Sequence, residues 1–310
     1  MCIRDSDVSW SNTHVNAGNQ LALVSGSDTN LIGAVVSGKQ VIANVGGDLN
    51  IESLQDTSKY DSKQKNIGGS VTIGAGMSGS ISYSKSSANS DYASVTEQSG
   101  IKAGDDGFQI KVGGNTDLKG AVIASTEQAV LDDKNILVTA SLTTSDIANH
   151  AEASAKSSGI SLSSDMATQG SYGIAKGVIG TLMNNGKGAE SSTGVTRSAV
   201  ESGLIVLTDE TAQQALTGKT ADETVASLNR DTANAQHAAQ KLDVGALLET
   251  VEAERAIKQE AFKQTTIVTD AIYRSATGPK KILLQKCNAQ GKDCSCLLYT
   301  SDAADDSLRV

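Results

Sequence analysis

The side chains best suited to chemistry are few and widely spaced. Three histidines, His14, His150 and His237, stand far apart in the sequence. None lies at metal-type spacing from a Cys, an Asp or another His, and a metal centre needs converging donors, so all three read as solvated side chains. Cys287 and Cys294 form a Cys-x6-Cys pair, which is half of a zinc site without its second half; a disulfide or two unrelated thiols are the alternatives. The run GDDGF at 104–108 could open a calcium loop, but the alternating oxygen ladder of an EF-hand is missing, and a plain acidic turn is the simpler reading. GAGMSG at 74–79 is loose like a phosphate loop yet lacks the Lys-Ser/Thr that gives such loops their specificity. Arg230-Asp231-Thr232 reads as part of a solvated helix face rather than an active-site fragment. No catalytic, cofactor-binding or metal-binding set emerges, and neither an enzyme nor a cofactor is expected.

The elements around these residues explain the scarcity. Aromatic residues make up 3% of the 310-residue chain, Pro occurs once and Gly 30 times. Small side chains cannot fill the wide interior of a large globule, but they can fill a narrow solenoid in which each turn contributes a few aliphatic residues. The formal charge of −9 favours solubility and, without a clustered Lys/Arg face, disfavours a nucleic-acid groove. The two ends need separate treatment. MCIRDS at 1–6 and CLLYTSDAADD within 296–310 resemble translated sequencing-adaptor DNA, because the codons ATG TGT ATA AGA GAC A encode the first and their reverse complement encodes CLLYTS. Residues 1–6 and 296–310 are therefore expected to be adaptor-like and are set aside for fold reasoning.

Between about 15 and 165 the apolar residues alternate with polar ones in short bursts punctuated by Gly and Asn. Val41, Ala43 and Val45 alternate, Leu49 and Ile51 follow Gly46-Gly47-Asp48, and Val71 and Ile73 follow Gly68-Gly69-Ser70. Such bursts are short strands with one buried face. GNQLAL, GGDLNI and GGSVTI recur at roughly coil-length intervals, a period within the solenoid range. SDTNLIGAVVSG at 27–38 is written again as GNTDLKGAVIAS at 114–125, with Thr29, Leu31, Gly33, Ala34 and Val35 in the places of Thr116, Leu118, Gly120, Ala121 and Val122. These patterns imply a parallel β-helix. Leu31 and Leu118, and Val35 and Val122, are expected at equivalent inward positions; Gly33 and Gly120, with Gly46, Gly47, Gly68 and Gly69, are expected at the turns.

Two stretches stay ambiguous. GMSGSISYSKSSANSDY at 76–92, where Ser alternates with Met77, Gly79, Ile81, Tyr83 and Lys85, is an outward hairpin or an irregular coil, since strands this polar hold register weakly. The segment at 159–188 is a strand pair or a short helix, and GLIVLTD at 203–209 reads as a last strand. Beyond residue 211 the period becomes helical. Leu247, Val251, Ile257, Ala261, Phe262, Val268 and Ile272 fall on one side of a helical wheel, and Glu254 and Lys258 are ordered for an i,i+4 pair. Gly278-Pro279 is expected to end that helix, and a shorter helix is expected over 222–242. The expected organisation is a β-helix over 7–210, an α-helical segment over 211–278 and a linker over 279–295.

VGGDLNIESLQDTSKYDSKQKNIGGSVTIGAG, GGNTDLKGAVIAS, SGISLSSDM and ETVASLNRDTANA together resemble the haemagglutinin-repeat region of two-partner-secreted exoproteins of Gram-negative bacteria. That family includes filamentous haemagglutinin-type adhesins and the stick proteins of contact-dependent growth inhibition. The resemblance covers about residues 15–280. It implies a secreted, cell-surface shaft followed by the helical stretch that precedes a C-terminal variable region, part of which is held in the periplasm before delivery. It also implies an outer-membrane two-partner transporter, a target-cell receptor and the target outer membrane as partners. The secretion-recognition domain, the VENN boundary motif and a toxin are absent from these residues, so toxin delivery is inherited by analogy. An adhesive shaft without toxin is the alternative, and a β-helical polysaccharide-active enzyme would need acids grouped at the coil period, a grouping the scattered acids do not show.

The change of periodicity near residue 211 predicts a β-rich far-UV circular dichroism spectrum with a helical minority. A predominantly helical spectrum would overturn the solenoid reading.

Overall fold

The computed structural model describes residues 2–73, 77–163 and 185–289. The chain divides into two compact units, one of Met1–Gln64, Ser86–Lys156 and Lys187–Glu249, the other of Lys65–Lys85, Ser157–Gly186 and Thr250–Val310.

In the first unit the short alternating segments become coils of a parallel β-helix, because each strand is too brief and too narrow to bury its apolar face except against its own repeat. The first coil is β2 (Thr13–Asn16), β3 (Gln20–Ser25) and β4 (Thr29–Ile32); β1 (Cys2–Val8) lies outside it. The second is β5 (Ala34–Gly38), β6 (Gln40–Val45) and β7 (Leu49–Glu52). After a long excursion, β8 (Gln55–Ile73) and β9 (Met77–Val95), the third coil follows as β10 (Gly100–Ala103), β11 (Phe108–Val112) and β12 (Asn115–Lys119). The fourth contains β13 (Val122–Ala124), the short helix α1 (Glu127–Leu131), β14 (Ile136–Thr139) and β15 (Ser141–Ser145). A second excursion, β16 (Ile147–Ser163) and β17 (Asn185–Thr196), precedes the incomplete fifth coil, β18 (Ala199–Val200) and β19 (Leu204–Leu207).

Three parallel sheets result, ordered β18-β13-β10-β5-β2, β19-β14-β11-β6-β3 and β15-β12-β7-β4. Their register stacks like on like. Leu23, Ala43, Ile110, Leu137 and Ile205 form one column through all five coils, and Val15, Val36, Ile101, Ile123 and Val200 form another. Apart from Val15, which is exposed at the start of its column, these residues and the neighbouring Leu49, Ile51, Leu118 and Phe108 make one thin core. The polar faces stack too: Asn50 donates from Nδ2 to Asn30 Oδ1 at 2.9 Å, and Thr143 donates to Asp117 Oδ1 at 2.5 Å.

The corner between the second and third sheets shows why Gly-Ser-Asp at 26–28, Gly-Gly-Asp at 46–48 and Gly-Gly-Asn at 113–115 share one pattern. Asp28 Oδ1 accepts the backbone N–H of Asp48 at 2.9 Å, and Asp48 Oδ1 accepts that of Asn115 at 2.7 Å, so each carboxylate or amide corner is tied to the coil above. The same oxygens occupy the space a side chain would need: a Cβ on Gly47 would stand 2.1 Å from Asp28 Oδ1, and one on Gly114 2.1 Å from Asp48 Oδ1. Gly46 and Gly113 back onto the carbonyls of Gly26 and Gly46.

Both excursions join one lateral sheet in the order β1-β8-β9-β16-β17, with β1 antiparallel to β8. Residues 2–6, the adaptor-like start, belong to β1, every residue of which is exposed. Of the stretch 76–92, residues 77–92 lie within the single strand β9, between β8 and β16 in that sheet, and Gly76 lies outside the described residues. The segment at 159–188 falls largely on 164–184, outside the described residues; its flanks lie in β16 and β17.

Three expectations need correction. GGSVTI is not a coil corner: Gly68 and Gly69 lie inside β8, and Val71 is 71% exposed. Alternation with period two describes a strand of a lateral sheet as well as a strand of a coil, and only the corner bonds tell them apart. The helix expected over 222–242 is α3 (Ala221–Ser227) alone, preceded by α2 (Glu210–Thr217). Beyond it the side chains capture the backbone, Asn229 Oδ1 accepting from Asp231 N and Asp231 Oδ1 from Asn234 N, which competes with helical bonding. The last helix, α4 (Val244–Ala289), runs through Gly278-Pro279 rather than ending there; Pro has helical φ and removes one backbone bond, which the turns on either side outlast. The stretch 279–289 is accordingly helical, not linker.

In the second unit, Ser82 donates to the carbonyl of Gly68 at 3.3 Å, Arg255 donates to Ser157 Oγ at 2.9 Å, and Glu254 pairs with Lys258 at 3.7 Å. The apolar side of α4 is unevenly used, Val251 being buried while Ile257 and Val268 are exposed.

Gly47→Ala is expected to destabilise by about 1–3 kcal/mol, since the new methyl displaces the corner carboxylate. Gly18→Ala, with nothing within 4 Å of its Cβ position, should stay within about 0.5 kcal/mol; a urea titration of both variants compares them.

Candidate functional site: the exit corner, the capped coil and the strap

Buried polar side chains gather in three places. At the first, both excursions leave the coils. Gly33, Ser53 and Gly120 occupy successive coils at one corner, their N–H groups donating to Glu52, Lys119 and Ser145 carbonyls respectively. Gly33 and Gly120 take left-handed φ of 59° and 55°. Ser53 stands between them with its hydroxyl, donating to the Gly120 carbonyl at 2.6 Å and accepting from Ser99 N at 2.8 Å. Gln98 Nε2 donates to the carbonyls of Gly120 and Arg197, and Ser198 donates to those of Leu118 and Ser145. Chain departures break the sheet ladder at this corner, and short hydroxyls and an amide re-satisfy the freed groups.

The expected repeat positions fall around this corner. Leu31 and Leu118 both pair with Ile51, from opposite sides, and Val35 and Val122 both pair with Gly100. Leu118 is buried in the coil core and Leu31, in the first coil, is half-buried against it. Val35 and Val122 are buried but not inward as expected: Val36 and Ile123 take the core positions, successive strand residues point to opposite faces, and Val122 packs instead with Ala199 and Ala235. Gly46 and Gly47 form the Gly-Gly-Asp corner, while Gly68 and Gly69 are in the lateral sheet.

At the second place the parallel stacking stops. In the fifth coil the corner residue is Asp209, whose N–H still donates to Ala140, but whose carboxylate turns to cap α2 by accepting from Ala212 N at 2.9 Å. One residue type that ties coil to coil elsewhere here starts a helix. The helix carries Gln213, which is fully buried. Its Oε1 accepts Leu142 N at 2.7 Å and its Nε2 donates to the Leu142 carbonyl at 3.1 Å, so a side-chain amide pairs the β15 edge as a further strand would. Thr217 and Thr224 accept from the same Nε2. A capping box at Thr220 and Glu223 fixes the start of α3 and holds the Glu223 carboxyl below its usual range.

The third place is the irregular strap over 229–243. His237 N donates to the Val195 carbonyl, and Arg197 N to that of Ala235. Asn149, itself buried, donates to Thr196 Oγ1 and to the His237 carbonyl and accepts from Val95 N. Arg230 is not on a solvated helix face, as its sequence context suggested: it is half-buried and donates to the carbonyls of Val200, Glu201 and Val225. Burial lowers its pKa, with the nearby Glu201 acting the other way.

The remaining candidates resolve simply. His14 lies 3.2 Å from Glu97 and His150 3.7 Å from Asp91, both on the surface. Asp105 and Asp106 of the acidic turn are taken up by Lys134 and Thr126, and carboxylates of Asp106 and Asp132 hold the Lys134 ammonium above its ordinary range. No group of three potential metal ligands occurs among the described residues. Residues 74–76 of GAGMSG and Cys294 lie outside the described residues. Sequence reasoning missed Gln213, Asn149 and the buried Asn135, whose Oδ1 accepts from Phe108 N and whose Nδ2 donates to Ser125 Oγ and the Ser202 carbonyl. Each is a lone amide in a polar context, and nothing in its spacing separates a buried amide from a solvated one.

Residues 4–69 match the family described as Hemagglutinin repeat. Over 240 residues the chain is 42% identical to the Toxin CdiA of Escherichia coli, a match covering 75% of this chain and 7% of that protein. It is 41% identical over 237 residues to the Deoxyribonuclease CdiA of Dickeya dadantii, covering 74% and 7%, and 40% identical over 234 residues to the Deoxyribonuclease CdiA of Yersinia pseudotuberculosis, covering 73% and 20%. The chain thus spans a small part of the relatives it matches. No solved structure matches it.

Gln213→Leu keeps the volume but leaves Leu142 N–H and C=O unpaired in the interior, and is expected to cost about 2–4 kcal/mol. The exposed Gln214→Leu should change stability by less than about 0.5 kcal/mol; thermal melts of both provide the comparison.

Proposed function

Since the chain belongs to the hemagglutinin-repeat proteins related to CdiA, we propose that it is the shaft segment of a secreted, cell-surface exoprotein that carries a C-terminal toxin to neighbouring bacteria. The observation that carries this reading is the identity of about two residues in five to CdiA toxins over three quarters of the chain. The architecture supports it. A stack of parallel coils is a spacer whose length scales with coil number, and its buried polar groups are spent on internal bonds rather than on a reactive cleft. The toxin and nuclease activities in the relatives' names belong, in this reading, to parts of those proteins beyond the matched share.

The partners follow from the same reading: an outer-membrane two-partner transporter that exports the chain, a receptor on the target cell, and the target outer membrane. Among the described residues no helix is long and apolar enough to cross a membrane. A polysaccharide-active β-helix would need free carboxylates grouped on one face. Asp28 and Asp48, which do stack at the coil period, have an oxygen each bonded to a backbone N–H.

Long-read sequencing of the parent locus through the codon for Ser295 and back past Asp7 tests the proposal. A VENN-like motif, a compact variable domain and a small neighbouring immunity gene are the expected result. A stop codon or further repeats with no variable domain would overturn toxin delivery and leave an adhesive shaft.

A further inference from the structure

We propose that residues 229–243 form a polar latch that opens as a unit while the coils remain folded. The proposal goes beyond the shaft reading and does not depend on a toxin.

The latch is fastened differently from everything around it. Strands of the second and third coils pair on both edges and share one aliphatic core. The strap instead lies across the ends of three strands of the lateral sheet within the first unit. It has two backbone pairs there, His237 N to Val195 O and Arg197 N to Ala235 O, around one isolated bridge between Thr196 and Gln236, and at its start the Asn229 carbonyl accepts from Val200 N at 3.0 Å. Its other fastenings use side chains, beginning with Arg230 on the carbonyls of Val200, Glu201 and Val225 and Thr232 on the Glu201 carboxylate. Gln236 Nε2 donates to the Val95 and Thr96 carbonyls at 3.1 and 2.9 Å. Ala239 N donates to Ser94 Oγ at 3.0 Å and Gln240 N to Ser192 Oγ at 2.9 Å. Asn149 Nδ2 holds the His237 carbonyl at 2.8 Å.

The apolar residues this stretch buries fully are small, Ala235 and Ala239. Segments with few buried apolar contacts and bonds made one at a time are the ones that open locally below the global unfolding free energy. The fit is nonetheless close, since a Cβ on Gly194 would stand 2.2 Å from the His237 carbonyl oxygen. Close fit with little apolar burial describes a catch, which holds well when seated and, when lifted, uncovers only the small cluster of Val122 and Ala199 on which Ala235 rests. Opening would detach the chain leading into α4 and uncover the carbonyls of Val95 and Thr96.

Native-state hydrogen exchange on the full chain tests this. In the parent protein the amides of His237, Ala239 and Gln240 should exchange through a local opening at low urea, while those of Ile110 and Leu137 exchange only through global unfolding. Gln236→Ala removes two fastenings from a half-buried position, and Gly194→Ala pushes the strap outward. Each should speed exchange at the strap by about tenfold and leave Ile110 and Leu137 unchanged. Strap amides protected as strongly as Ile110, variants that speed both sets alike, or variants that leave the strap unmoved would overturn the latch.

Discussion

Everything in the coil region depends on one constraint: an inward side chain must rest on its counterpart in the coil above and the coil below. The column Leu23, Ala43, Ile110, Leu137 and Ile205 is buried by this stacking together with the facing columns of the same thin core. A slip of one residue in any coil would turn its aliphatic set outward and leave its neighbours unroofed. The corner carboxylates enforce the same register from outside the core, because Asp28 and Asp48 each hold one particular N–H of the next coil. Core and corner therefore specify one alignment independently, which is how so thin an interior defines a single structure.

A solenoid built this way must solve two problems that a closed globule does not have. The ladder has to be interrupted where the excursions depart, and it has to end. The first is handled by Ser53, Gln98, Ser99 and Ser198, whose short polar groups stand in for missing backbone partners at the exit corner. The second is handled by Asp209 and Gln213. Redirecting the corner carboxylate into a helix cap stops the coil, and the helix then delivers an amide to the edge that the next strand would have taken. An uncovered edge is a template for pairing with other chains, so termination matters for solubility as well as for length.

The coils were legible in the sequence because their requirements are repetitive. Thr29, Leu31, Gly33 and Val35 echo Thr116, Leu118, Gly120 and Val122 across two intervening coil steps, and an echo of that length has few explanations besides stacking. The lateral sheet was less legible. GGSVTI has the composition of a coil corner followed by a strand, yet Gly68 and Gly69 sit within β8; what distinguishes the two is whether a neighbouring coil supplies the bonding oxygen, and that is a fact about space. The polar network was not legible at all. Gln213 lies in an AQQAL run that reads as a solvated helix, and Arg230 in a charged stretch that reads the same way. Burial of a single amide or guanidinium follows from the ends of strands that are distant in sequence, β15 for one and β18 for the other.

Both excursions leave and return at the same corner, the first between β7 and β10 and the second between β15 and β18. Entry and exit of each are thus fixed by the coils, whatever lies between. The length and sequence of the outgrowth are thereby uncoupled from the stacking that holds the molecule together. A change in the length of either outgrowth would therefore leave the register of the coils before and after it as it was.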